Sequence, residues 1–128
     1  NRIDEYKKLL KPLDLGLEKK QKTKVSLLSG GQRQSLSLVM ASMNRPKLFL
    51  LDEHTAALDP KTSKLVMTRT NKLINDTKMT TLMITHNMRD AVTYSDRIIM
   101  LNEGRVIFDK LSKDTSPEEL ESIYSNQI

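Results

Sequence analysis

Residues able to do chemistry gather at four places in the chain. The first is the run Leu28-Ser29-Gly30-Gly31-Gln32-Arg33-Gln34. Two glycines and a serine there open a predicted helix, whose first amides have no intrahelical acceptor. Glycine lets such N–H groups come close to a phosphate, and the helix dipole favours its charge. The Ser29 hydroxyl and the Gln32 carboxamide would add side-chain contacts to the anion. A glycine-eased helix entry with Ser29 as N-cap explains the Ser-Gly-Gly start equally well, so the complete seven-residue string is the more specific signal.

The second place is Asp52-Glu53, at the carboxyl end of the apolar run Leu48-Phe49-Leu50-Leu51. That run predicts a parallel strand covered on both faces, and the carboxyl edge is where α/β sheets put their ligands. Adjacent carboxylates can divide labour: one holds Mg²⁺ through its water shell while the other orients or deprotonates an attacking water. A solvated acidic strand exit is the plain alternative. Asp59 comes third. Followed by Pro60, it is an N-cap for a helix over roughly 60–76, a role compatible with a polar contact to a partner subunit. His86 is fourth, directly after the predicted strand Thr80–Thr85. If the two strands are parallel neighbours, it shares an edge with Asp52-Glu53, where it would contact phosphate or position water; a lone histidine is otherwise structural.

The elements that must position these residues alternate. Tyr6, Leu9 and Leu10 give helical spacing over 3–10, closed by Pro12 and Gly16. Leu36, Val39, Met40 and Met43 recur at i, i+3, i+4, i+7 and predict one buried helical stripe between Gly31 and Asn44. A short helix is expected over 87–94 with Asn87 as cap. Arg97–Leu101 and Arg105–Phe108 flank Asn102-Glu103-Gly104 as a hairpin. Ser116-Pro117-Glu118-Glu119 matches a capping box for a C-terminal helix.

Composition bounds the rest. The 128 residues, 38% hydrophobic and 29% charged with four Gly and four Pro, predict one soluble globular domain. Without cysteine, disulfides and thiolate metal sites are excluded. No apolar run approaches the roughly 20 residues of a membrane-spanning helix. The chain starts at Asn1 with neither an initiator Met nor an apolar leader, so no secretory signal is read and further upstream sequence is expected. Of the net charge of +5, most sits in residues 1–28, with 8 Lys+Arg against 4 Asp+Glu. The basic run Lys19–Lys24 would face phosphates, anionic headgroups or plain solvent. No aromatics interleave with it as in a single-strand nucleic-acid platform, and no nucleic-acid partner is expected.

Taken together, these residues resemble the ATP-binding cassette (ABC) transporter ATPases. Leu28–Gln34 is similar to that family's signature sequence, Leu48–Glu53 to its Walker B strand, Ala56–Asp59 to its D-loop and His86 to its switch histidine, in the same order. The resemblance implies an α/β fold, the C-terminal part of a P-loop NTPase (ABC ATPase) fold. A mainly parallel sheet flanked by helices would be preceded by part of a helical subdomain. Residues 1–45 would end that subdomain and 46–128 would form the C-terminal part of the RecA-like core. Ser29, Gly30, Gly31 and Gln32 would touch the γ-phosphate of ATP bound to the opposite subunit. Asp52 would support Mg²⁺, Glu53 would be the general base, His86 would hold the γ-phosphate and Asp59 would cross the dimer interface. The implied partners are a second ATPase subunit arranged head to tail, transmembrane permease subunits and a substrate-binding protein. The implied location is cytoplasmic, peripheral on the inner face of the cell membrane.

Two departures from the family stand out. His54 occupies a position where proline is common. The phosphate loop G-x-x-x-x-G-K-[ST] needs a Gly-Lys pair, whereas the four glycines here precede Leu17, Gly31, Gln32 and Arg105. The glutamine loop that precedes the helical subdomain is missing as well. The expectation is therefore the C-terminal half of a longer ATPase, with an uncovered sheet face that invites association, and with neither tight MgATP binding nor turnover by itself. The alternative is a non-catalytic truncated subunit that donates its signature to an intact partner. A DNA-repair or chromosome-associated ATPase of the same superfamily is disfavoured by the absence of coiled-coil heptads and by the transporter-like stretch Leu50–Asp59.

Overall fold

The computed structural model describes residues 2–11 and 16–127. Pro12, read above as a helix stop, lies outside them. The chain divides into two compact units, Asn1–Met83 and Ile84–Ile128.

In the first unit, α1 (Arg2–Leu10) is followed by short 3-10 turns at Leu17–Lys19 and Val25–Leu27. Next come α2 (Gly30–Ser42), β1 (Leu48–Asp52), α3 (Pro60–Thr77) and β2 (Thr80–Ile84), whose last residue falls at the unit boundary. β1 and β2 are hydrogen-bonded neighbours. The 18-residue α3 between them is the kind of crossover that parallel strands require. Two cores form. Leu10, Leu17, Leu28 and Val39 make one, with Leu36 against it. Leu38, Phe49, Leu51, Val66 and Met79 make the other, joined by Leu58, Leu73, Ile74 and Met83.

Two sequence expectations are corrected here. The strands are covered on one face only: Phe49 and Leu51 are buried, whereas Leu48, Leu50 and Leu82 are 52%, 64% and 55% exposed. Among the described residues the helical layer packs on the Phe49–Leu51 side, and no second layer covers the other. The predicted α2 stripe is also only half right. Met40 and Met43 are exposed, and the buried face runs Gly31, Ser35, Leu38, Val39 and Ser42. Small residues on that face let α3 approach closely, a contact that an apolar-spacing rule does not register.

The second unit holds α4 (Met88–Tyr94), β3 (Arg97–Asn102), β4 (Arg105–Leu111), a 3-10 turn at Ser112–Asp114 and α5 (Pro117–Ser125). The hairpin turn places both Glu103 (φ 49°) and Gly104 (φ 76°) in the left-handed region, as a two-residue turn matched to strand twist demands. A bulge at Met100/Leu101 shifts the register from Met100 opposite Phe108 to Leu101 opposite Val106. Ile98, Phe108 and Leu120 form the core, with Met88, Ala91, Val92, Met100 and Ile123 around them. Asn87 caps α4 through the Asp90 amide, and Ser116 caps α5 through the Glu119 amide, both as expected. The Glu119 carboxylate, expected to close a capping box, takes Lys110 Nζ at 2.9 Å instead.

Candidate functional site

Ser29 is the N-cap of α2 and forms a complete capping box: its Oγ accepts from the Gln32 amide at 3.2 Å, and Gln32 Oε1 accepts from the Ser29 amide at 3.0 Å. The Ser-x-x-Gln pattern for this box was present in the sequence. Both side chains expected to meet an anion are thus engaged in shaping the helix start. The Gly30 and Gly31 amides belong to the first turn, which has no intrahelical acceptors. The absence of side chains on these glycines is enforced from outside. A Cβ at Gly30 would lie 3.1 Å from Leu58 Cδ2, and one at Gly31 would lie 2.5 Å from Thr62 Cγ2.

Those contacts join α2 to the beginning of α3. Asp59, exposed, caps α3 by accepting from the Thr62 amide at 3.1 Å. Its carboxyl is held below the usual carboxylate range by hydrogen bonding from Thr62, side chain first and then backbone amide. Thr62 therefore has two tasks that sequence reasoning missed, gripping Asp59 on one side and abutting Gly31 on the other. The detectable signal was a hydroxyl residue three places after an Asp-Pro cap. A carboxyl depressed in the fold contributes stability that is fully present above the ordinary carboxylate value and is lost as pH falls from there through the lower folded pKa. Asp59→Asn, which keeps an acceptor but no proton-linked charge, is expected to flatten the acid limb of a Tm-against-pH curve; an unchanged limb would remove this assignment.

Gly31→Ala tests the close approach. Alanine gains roughly 1 kcal/mol of helix propensity over glycine, but overpacking at such a contact costs about 1–3 kcal/mol. The expected net is a loss of stability, at most about 2 kcal/mol by those figures, and Thr62→Ser in the same chain should recover it. Serine removes the methyl and keeps the hydroxyl. Denaturant midpoints of the four chains give the coupling directly.

Asp52 and Glu53 are both exposed where β1 ends. The turn that follows is fixed by the Ala56 amide on Glu53 O at 3.1 Å and the Leu58 amide on Thr55 O at 3.1 Å. Leu58 then reaches Gly30, so the turn that follows Asp52-Glu53 touches the α2 start. Glu53 has φ 46°, a left-handed backbone that costs a side-chain-bearing residue about 1–2 kcal/mol. Within the turn His54 is the buried residue, and burial pushes its pKa below the ordinary histidine value. Among the described residues no group of three His, Asp or Glu could cage a metal. Two exposed neighbouring carboxylates suit an ion that keeps water and substrate phosphates as most of its ligands, the habit of Mg²⁺.

His86 lies in the second unit, exposed on the bend before α4. It borders an open depression of about 540 Å³ with Asn87, Arg89, Glu121 and Tyr124. Among the described residues no helix is long and apolar enough to cross a membrane.

The chain is similar to known proteins. A family model described as ABC transporter matches residues 2–56. The tyrosine transport ATP-binding protein of Clostridioides difficile (strain R20291) is 51% identical over 115 residues, covering 90% of this chain and 46% of that protein. The phosphonates import ATP-binding protein PhnC 1 of Ruegeria sp. (strain TM1040) is 41% identical over 98 residues, 77% of this chain and 38% of that one. A solved structure of a metal-chelate type ABC transporter in an inward-facing conformation superposes with a TM-score of 0.76 at 28% identity, covering 91% of this chain and 47% of that one. The chain spans less than half the length of these proteins. The match at residues 2–56 begins at the front of the chain and does not by itself mark a C-terminal half. On the sequence match, the identity to these relatives and the shared α/β fold, the chain belongs to the ABC transporter ATP-binding family.

Proposed function

We propose that these residues are the part of an ABC transporter ATPase that carries the signature, Walker B, D-loop and switch histidine, working with a segment that supplies the phosphate loop. The observation carrying this reading is the corner formed by the α2 start and the α3 start, where Gly30 meets Leu58 and Gly31 meets Thr62 beside Asp59. It brings the α2 start, which holds Ser29, Gly30, Gly31 and Gln32, against the α3 start that Asp59 caps, a proximity in keeping with a surface that closes on a second subunit's nucleotide. The open face of Leu48, Leu50 and Leu82 is in keeping with a layer supplied by further chain.

In this reading the first-turn amides of Gly30 and Gly31 hold the γ-phosphate of ATP bound across a head-to-tail dimer, at the end of a helix whose dipole favours that charge. Ser29 and Gln32 keep the turn in shape through their capping box. Asp52 holds Mg²⁺ through water, and the ion neutralises phosphate charge when bound. Glu53 takes the proton from the attacking water. His86 holds the γ-phosphate and senses its loss, and Asp59 makes a polar contact across the dimer. The work of the cycle would pass to transmembrane permease subunits at the inner face of the membrane, with a substrate-binding protein delivering the solute. Relatives named for tyrosine transport and phosphonates import support the transport class.

The test is complementation. The chain is mixed with a polypeptide bearing a Gly-Lys-Ser/Thr phosphate loop, the feature that the family resemblance implies and that these residues do not contain. ATP hydrolysis by the mixture and by neither part alone is expected. Complex formation without hydrolysis would instead favour a chain that only donates its signature.

A further inference from the structure

The left-handed backbone of Glu53 persists only if its surroundings over-determine it. The buried side chain in the following turn is His54, 9% exposed, with Nε2 3.2 Å from Thr70 Oγ1 on the third turn of α3. Thr70 is 1% exposed and its hydroxyl donates to Val66 O at 2.8 Å. A hydroxyl has one proton, so Thr70 Oγ1 can only accept from the histidine. His54 is thereby fixed as the Nε2–H tautomer. The bond spans 16 residues and ties the turn after β1 to the helix that Asp59 caps. Proline, the residue the resemblance would place here, cannot make it.

We propose that His54 is the positioning residue for Glu53: its Nε2–H bond to Thr70 Oγ1 locks the turn in which Glu53 is left-handed, and so sets the backbone direction from which the Glu53 side chain leaves. Because α3 carries both Thr70 and the Asp59 cap, the same bond makes the placement of Glu53 depend on the placement of α3. The importance of that direction rests on Glu53 being the general base; the latch itself does not.

The experiment is NMR on the isotope-labelled 128-residue chain without nucleotide. The ring-nitrogen shifts of His54 are expected to show the Nε2–H tautomer. The Ala56 amide, bonded to Glu53 O, is expected to exchange at least about tenfold faster in Thr70→Val relative to the Met43 amide of α2, and at the wild-type rate in Thr70→Ser, where rescue depends on the hydroxyl. General destabilisation would speed both amides together. An Nδ1–H tautomer in the wild-type chain overturns the proposal even if Thr70→Val does not fold, and so does equal Ala56 exchange in the valine and serine variants. Failure of Glu53→Gln to affect hydrolysis in the complemented enzyme would remove the base and leave the latch, so the two readings fail separately.

Discussion

Glu53→Gln is expected to reduce ATP hydrolysis by the complemented enzyme about 10²–10⁴-fold, the usual contribution of a positioned general base. Glutamine keeps the length and hydrogen-bonding shape of the side chain but cannot accept the proton of the attacking water. Nucleotide binding should change little, since the proposed reading assigns phosphate contacts to the Gly30 and Gly31 amides, His86 and the complementing loop. The effect should therefore fall on kcat and leave KM near its original value. A proportional loss in KM would mean that Glu53 contributes to holding nucleotide, in the manner assigned to Asp52. Full activity in the variant would remove Glu53 from the chemistry altogether.

Leu120→Ala carries the largest expected effect on stability. Leu120 is 1% exposed and packs with Ile98 and Phe108 where α5 covers the β3–β4 hairpin. Truncating a buried leucine to alanine costs about 2–5 kcal/mol through lost transfer free energy and the cavity left behind. Met88, Ala91, Val92, Met100 and Ile123 pack around this core and can relax into the space only in part, so a cavity term remains. Loss of that amount should expose the amides of β3 and β4 to exchange. The exposed Arg97–Asp109 pair, at 2.6 Å across the same hairpin, is too solvated to compensate. Retained protection at Ile98 and Phe108 in the variant would show that this core does not hold the hairpin.

What could be read from the sequence follows the range of the forces involved. Caps at Ser29, Asp59, Asn87 and Ser116 are local patterns, and all four stand where expected. The hairpin around Glu103-Gly104 was legible for the same reason. The four motifs also gave the family. The contacts between elements were not legible. Gly31 against Thr62, and His54 against Thr70, join residues whose types say nothing of a partner 16 or more positions away. Burial of β1 was overestimated because an all-apolar strand does not say whether both layers that suit it are at hand; Leu48 and Leu50 are exposed. Ser29 and Gln32 form a capping box, and because a capping box and an anion contact draw on the same residue types, the sequence alone does not separate the two roles.

The central claim is that this chain holds the signature and Walker B chemistry but no phosphate-cradling loop. Titration of MgATP into the purified 128-residue chain, followed by calorimetry at concentrations high enough to populate a dimer, tests it most directly. The account predicts no saturable binding and no turnover above buffer, because electrostatic positioning of the phosphates supplies most of phosphoryl-transfer catalysis. Tight, saturable binding with turnover abolished by Glu53→Gln would contradict it, and would assign phosphate binding to other residues of this chain, the Lys19–Lys24 run first among them.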